Sequence, residues 1–286
     1  MSATPDGNGA AVRAAFLRAC DLDVAVRKPG NVSAASAGHG MDATIFRAAA
    51  RASVGPLCAQ GDPVGRRIER SIDAAHAAAG CNANLGIVLL CAPIAAALED
   101  LPFARSAAAL RGGVEQRLHA LDVDDARAAF RAIVRANPGG LGYAGEHDVR
   151  SAPTMNLVEA MRLAADRDSV ARQYANGFAD VFDCGVPLFE RVARTSVERA
   201  MLGTFIAFLR RWPDSHVARK HGVDVASALC RDAAARSDRY GDDAVRAPPG
   251  DIAAWDAELK ARGINPGTSA DLAVATAFVC LSLGEA

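Results

Sequence analysis

The chain has 286 residues, 51% of them hydrophobic and 5% aromatic, enough apolar material for a core that needs neither disulfides nor structural metal. Its 33 acidic and 32 basic residues nearly cancel and form no block of like charge, which excludes a nucleic-acid or membrane arm and leaves any anion binding local. Seven cysteines scattered without a Cys-x-x-Cys pair, a start (MSATPDGNGA) unlike a signal peptide, and no uncharged run near the roughly 20 residues of a membrane span point to a reduced, soluble, cytoplasmic protein.

Abundant alanine and scarce β-branched alternation predict an all-α fold, a single multi-helix, bundle-like domain over 10–286 behind a flexible start at 1–9. Helices are expected over about 10–26, 63–79, 85–98, 124–136, 156–165, 169–183, 187–212, 223–236, 252–262 and 269–283. The apolar stripe from Phe189 through Val197, Met201 and Phe205 to Trp212 makes 187–212 the expected central helix, and Pro93 is expected to kink or split 85–98. Gly, Pro and charged residues place loops at 30–40, 137–153 and 239–250.

GLGYAG (140–145) matches G-x-G-x-x-G by letter, but it follows a helical pattern and runs into EHDVRSAP, so the strand–turn–helix that pattern requires is missing. Phosphate-loop, H-E-x-x-H and G-x-S-x-G signatures are absent, and the six histidines lack metal-ligand spacing.

Four polar stretches at helix ends carry the chemistry. In RKPGNVS (27–33), Pro29 and Gly30 can simply stop a helix; alternatively Lys28 is a point charge for phosphate beside exposed backbone amides. In GCNANLG (80–86), Asn84 reads as an N-cap and Asn82 as a turn residue, while free amides at that helix start would attract an anion. In DSHVARKHG (214–222), Asp214 caps a short helix stopped by Gly222, and Arg219 and Lys220 suit its negative end or a triphosphate. In INPGTSADL (264–272), Thr268 and Asp271 read as a capping box with Asp in place of Glu, or Asp271 serves as a magnesium ligand.

Taken in order, KPGNV, MDATIF, GCNANLG, ARKHG and NPGTSADL resemble the motifs of the triphosphoribosyl-dephospho-CoA synthase family, over about residues 28–283. That resemblance implies an all-helical transferase that takes ATP and dephospho-CoA, expels adenine and joins the triphosphoribosyl group to the acceptor. ATP is a β-glycoside and the family's product linkage is α, so a single inverting displacement suffices, with an acid for the leaving base and a base for the incoming hydroxyl. The family pattern falls on Lys28, Gly30, Asp42, Asn82, Gly86, Asn265, Gly267, Thr268 and Asp271. Asp42, Asp148, Asp271 and His147 are the catalytic candidates, Asp42 and Asp271 the magnesium ligands. Lys28, Arg219 and Lys220 suit the triphosphate, and Gly30, Asn31, Asn82, Asn84, Gly86, Asn265, Gly267 and Thr268 the rest of the nucleotide.

Where members that serve citrate lyase carry Thr-His-Lys, this chain has Ala83, Asn84 and Leu85. EHDVRSAPT and the segment after it look like a divergent branch, for which (phospho)ribosyl transfer in making a tetrahydromethanopterin-type one-carbon carrier is the alternative. A non-catalytic nucleotide-binding protein is the third reading. The expected partners are a nucleotide and a small acceptor, with a homodimer left open.

Overall fold

The computed structural model describes residues 5–101, 106–143, 145–240 and 246–284. Among them are α1 (Pro5–Ala25), α2 (Ala43–Leu57), α3 (Val64–Ala79), α4 (Leu85–Leu98), α5 (Ala107–His119), α6 (Val123–Ala136), α7 (Leu157–Arg162), α8 (Ser169–Asn176), α9 (Val186–Ala193), α10 (Val197–Arg211), α11 (Ser215–His221), α12 (Val223–Tyr240), α13 (Pro249–Ala261) and α14 (Gly267–Leu283). A π-helical turn, Asp180–Gly185, joins α8 to α9, and the described residues form no strand beyond two isolated bridges. The expected all-α class is what the chain adopts.

Local side chains set many helix starts. Asp122 and Asn156 each form a reciprocal capping box, with Asp125 and Glu159, while Asp42, Ser106, Asp168, Ser196 and Asp214 cap α2, α5, α8, α10 and α11. These caps also correct the expected elements. The segment 187–212 is two helices, because Ser196 accepts from the Arg199 amide and starts α10 anew. The segment 169–183 stops at Asn176, where Gly177 and Phe178 both turn left-handed, at φ 68° and 60°. Helices α2 and α5 were not anticipated, and α1 begins at Pro5 rather than near residue 10.

Pro93 does not split α4. A helical proline strips the hydrogen bond from the carbonyl four residues earlier, here that of Leu89, and the buried Tyr174 hydroxyl donates to that oxygen at 2.7 Å. The distant tyrosine restores what the proline removes.

Helix α4 is apolar on every side, and 13 of its 14 residues are buried. It packs on α14, which also touches α1, α9 and α10, so the pair α4–α14 rather than 187–212 is the centre of the molecule. Phe16 of α1 meets Phe278 of α14 edge-on at 5.8 Å. No described helix is long and apolar enough to cross a membrane.

Candidate active site at four helix starts

The starts of α4, α8, α11 and α14 converge on a cavity of about 880 Å³, flanked by parts of 138–153 and by Asp23 and Asn31 from the α1 side. That volume lies at the upper end of the roughly 300–1,000 Å³ usual for small-molecule sites. Its acids, Asp23, Glu146, Asp148, Asp166, Asp168 and Asp271, outnumber its arginines, Arg167, Arg172 and Arg219.

Asp271 lies on the second turn of α14, not in a capping box. The helix starts at Gly267 after Pro266, and the Thr268 hydroxyl accepts from the His216 amide at 3.1 Å instead. Asp271 makes no hydrogen bond or ion pair among the described residues. Burial foremost, then the neighbouring Asp23 and Asp214 carboxylates, raise its carboxyl well above the ordinary value. A Cβ on Gly86 would overlap Asp271 Oδ2, so glycine there is what lets this carboxyl reach the cavity. Two of the sequence stretches, 80–86 and 264–272, meet at that contact.

The α4 start offers less to an outside anion than expected. Asn82, not Asn84, caps it, accepting from the Leu85 amide at 3.2 Å, while the buried Asn84 amide donates to Ser53 Oγ at 3.2 Å. The carboxyl that lies against this helix start is that of Asp271. Asn31 Nδ2 donates to Asn265 Oδ1 at 2.9 Å, both residues lining the cavity, and Gly267 lies against the His216 ring.

Lys28 is not in the lining. It is 0% exposed, its ammonium donates to the Asp23 and Val26 carbonyls, and it lies 3.1 Å from Asp23 Oδ1. What faces the cavity is Asp23, 4% exposed, whose carboxyl is raised by burial against the lowering pull of Lys28. Gly30 also lies behind the cavity, donating its amide to Asp256 at 2.9 Å. Asp42 is outside as well. It is exposed and spends one oxygen on the Thr44 and Ile45 amides, while its neighbours Met41 and Phe46 line the wall. Of the two expected magnesium ligands only Asp271 lines the cavity, and the described residues hold no cluster of three or more metal-ligating side chains.

Arg219 faces the cavity and pairs with Asp168, the α8 cap; Lys220 is exposed beside Gly139, outside the lining. Asp148 is buried and bridged to Arg150 at 3.0 Å, and His147 is an exposed rim residue with left-handed backbone, φ 55°. The wall that carries them leans on α11. At Gly140, φ 75°, a side chain would run into the Arg219 carbonyl.

Sequence reasoning missed Asp23 and His216. His216, at the start of α11, has a buried Nε2 without a hydrogen-bond partner, and burial with Arg219 and Lys220 pushes its ring down to about 4, so it is neutral near pH 7. A histidine inside a capped stretch that already explained itself gave no signal. Asp23 lay mid-helix in CDLDVA, and only its pairing with Lys28 reveals it.

The family model for ATP:dephospho-CoA triphosphoribosyl transferase matches residues 10–285. The chain belongs to that family. A crystal structure from Archaeoglobus fulgidus, described as a candidate triphosphoribosyl-dephospho-CoA synthase, is similar with a TM-score of 0.64 and 20% identity, over 85% of this chain and 99% of that one. At that identity the likeness is one of fold. No curated protein sequence matches. As a member of the triphosphoribosyl transferase family the chain is a transferase, and the stretches that suggested the family, distant in sequence, each send residues to this one cavity or brace it from behind.

Proposed function

We propose that the cavity moves the triphosphoribosyl group of ATP onto a hydroxyl of dephospho-CoA and releases adenine. Family membership supports the reaction, and the observation that carries its placement is Asp271, an unpartnered, desolvated carboxyl facing a nucleotide-sized cavity. Burial raises both Asp271 and Asp23, but Asp23 has the Lys28 ammonium 3.1 Å from its carboxylate, whereas at Asp271 the pull of Arg219 ranks below the push of Asp23 and Asp214. Two carboxyls with environments that differ in this way divide acid and base work. Asp271 enters protonated and gives its proton to adenine as the C1′–N9 bond breaks. Asp23, kept ionised by Lys28, takes the proton of the acceptor hydroxyl as its oxygen bonds C1′ from the other face. Asn82, Asn84 and Asn265 offer donors and acceptors to ribose and base.

Magnesium enters with the substrate, as MgATP, since its ordinary coordination needs few protein carboxylates beside the phosphates. Thiols without disulfides throughout the chain agree with a reduced cytoplasmic setting. Incubation with MgATP and dephospho-CoA is expected to release free adenine, read by chromatography; ADP or AMP as the only product overturns the reading. One observation favours a second acceptor, a pterin-type carrier: Ala83, Asn84 and Leu85, where the family's citrate-lyase branch differs, all line the cavity. Adenine release with that acceptor and none with dephospho-CoA would select it.

The Gly86 contact supplies a further expectation. Gly86→Ala favours the helix by about 1 kcal/mol on propensity alone, yet its methyl displaces the Asp271 carboxyl. Helicity by circular dichroism is expected to hold while adenine release falls at least tenfold, an effect of order 1.4 kcal/mol on the barrier.

A further inference from the structure

A triphosphate needs cations, and the two lysines that the sequence offered do not face the cavity: Lys28 is sealed against Asp23 and Lys220 lies outside the lining. Arg219 faces it but gives its Nη1 to Asp168 and keeps only a buried Nε unpartnered, and Arg167 is an exposed rim residue that donates to the Leu163 carbonyl at 2.9 Å. Arg172, on the first turn of α8, is built differently. Its Nε donates to Asp180 Oδ2 at 2.7 Å, and its guanidinium carbon lies over the Trp212 ring, 4.3 Å from the centroid. Trp212 is in turn stacked on Phe208 at 6.0 Å, and Gln173 Nε2 holds the same Asp180 oxygen at 2.6 Å. The guanidinium is thus held at Nε by Asp180 and over the ring of Trp212.

The remaining edge is unused. Nη2 is buried with no hydrogen-bond partner, and Arg172 makes no other hydrogen bond among the described residues. Both Arg172 and Trp212 line the cavity. A buried donor left without an acceptor costs about 1–3 kcal/mol, more when charged. Guanidinium presents paired N–H groups in the spacing that phosphate oxygens accept, and one already immobilised loses little entropy on binding.

From this geometry we propose that Arg172 is the phosphate-binding arginine of the cavity, the part-exposed guanidinium end that makes no hydrogen bond among the described residues receiving an oxygen of the nucleotide's polyphosphate. Asp180 and Trp212 are its positioning residues. The assignment deepens the ATP reading above and rests on it.

Calorimetric titration of the full chain with MgATP and, separately, with adenosine separates the two ideas. Arg172→Gln is expected to weaken MgATP about ten- to a hundredfold, the range of one charge-assisted contact, and to leave adenosine unchanged. Arg172→Lys keeps the charge but not the fork and is expected to recover only part of the affinity. Unchanged MgATP affinity in Arg172→Gln overturns the assignment, and so does an equal loss for both ligands, the pattern of a structural residue. Should the Gln variant fail to fold by circular dichroism, the Lys variant decides on the same two ratios. A wild-type chain that binds adenosine but gains nothing from the phosphates overturns the arginine's role alone. One that binds neither ligand overturns the nucleotide reading with it.

Discussion

Asp271→Asn is expected to cut adenine release by about 10²–10⁴-fold, the usual contribution of a general acid, and at the same time to raise the melting temperature at neutral pH. Both effects have one cause. Burial, Asp23 and Asp214 lift the folded-state titration of Asp271 well above the 3.8 of a free aspartate. Between those two values the folded chain holds a proton that the unfolded chain has lost, so stability is greatest on the acid side and falls as pH rises through the interval. Asparagine keeps the shape, carries no charge at any pH, and abolishes that part of the decline. Asp23 and Asp214 titrate with the same sign and leave a smaller slope behind. Melting temperatures of wild type and variant, compared from pH 4 to 8, should diverge with increasing pH. Parallel curves would mean that Asp271 is not held protonated, and activity within tenfold of wild type would remove it as the acid.

The same residue shows where the sequence was legible and where it was not. Fold class and many helix ends were written locally, in alanine content and in caps such as Asn156–Glu159 and Asp214, because these depend on residues a turn apart. The Pro187–Trp212 stripe looked continuous since apolar spacing carries through a single capped break, and Ser196 supplied that break with one hydroxyl. Pro93 misled for the opposite reason, its repair lying 85 positions from Leu89 in Tyr174. Within the site the motifs marked the right stretches but not the right side chains. Thr268 and Asp271 have cap spacing, yet α14 already starts at Gly267, after Pro266, which places Asp271 on its second turn and in the cavity wall. The stretch around Asp42 reaches the wall through Met41 and Phe46 while its charge goes to a helix cap. Arg172 carried no local pattern, its setting coming from Asp180 and from Trp212, the residue that ends α10.

Lys28→Met is expected to cost about 3–5 kcal/mol of folding stability, the typical price of breaking a buried ion pair from one side. The ammonium has no exposure and three partners: the Asp23 and Val26 carbonyls and the Asp23 carboxylate at 3.1 Å. Methionine fills the volume but leaves Asp23, itself 4% exposed, as a buried carboxyl without the cation that pulls its titration down, so burial raises it further. Asp23→Asn alone strands the ammonium in the same way. The double variant Asp23→Asn/Lys28→Met removes both charges, and urea unfolding should show it more stable than the sum of the single losses by well over the roughly 0.5 kcal/mol of additive, independent sites. Function separates this role from the phosphate contact that the sequence suggested. A lysine on phosphate would raise the KM for ATP and barely alter stability. A lysine that keeps Asp23 ionised instead lowers kcat and shifts the acid limb of the kcat profile to higher pH, since a base that has lost its cation must be deprotonated by the medium. Stability within 1 kcal/mol of wild type with a raised KM would return Lys28 to the phosphate and take the base assignment from Asp23.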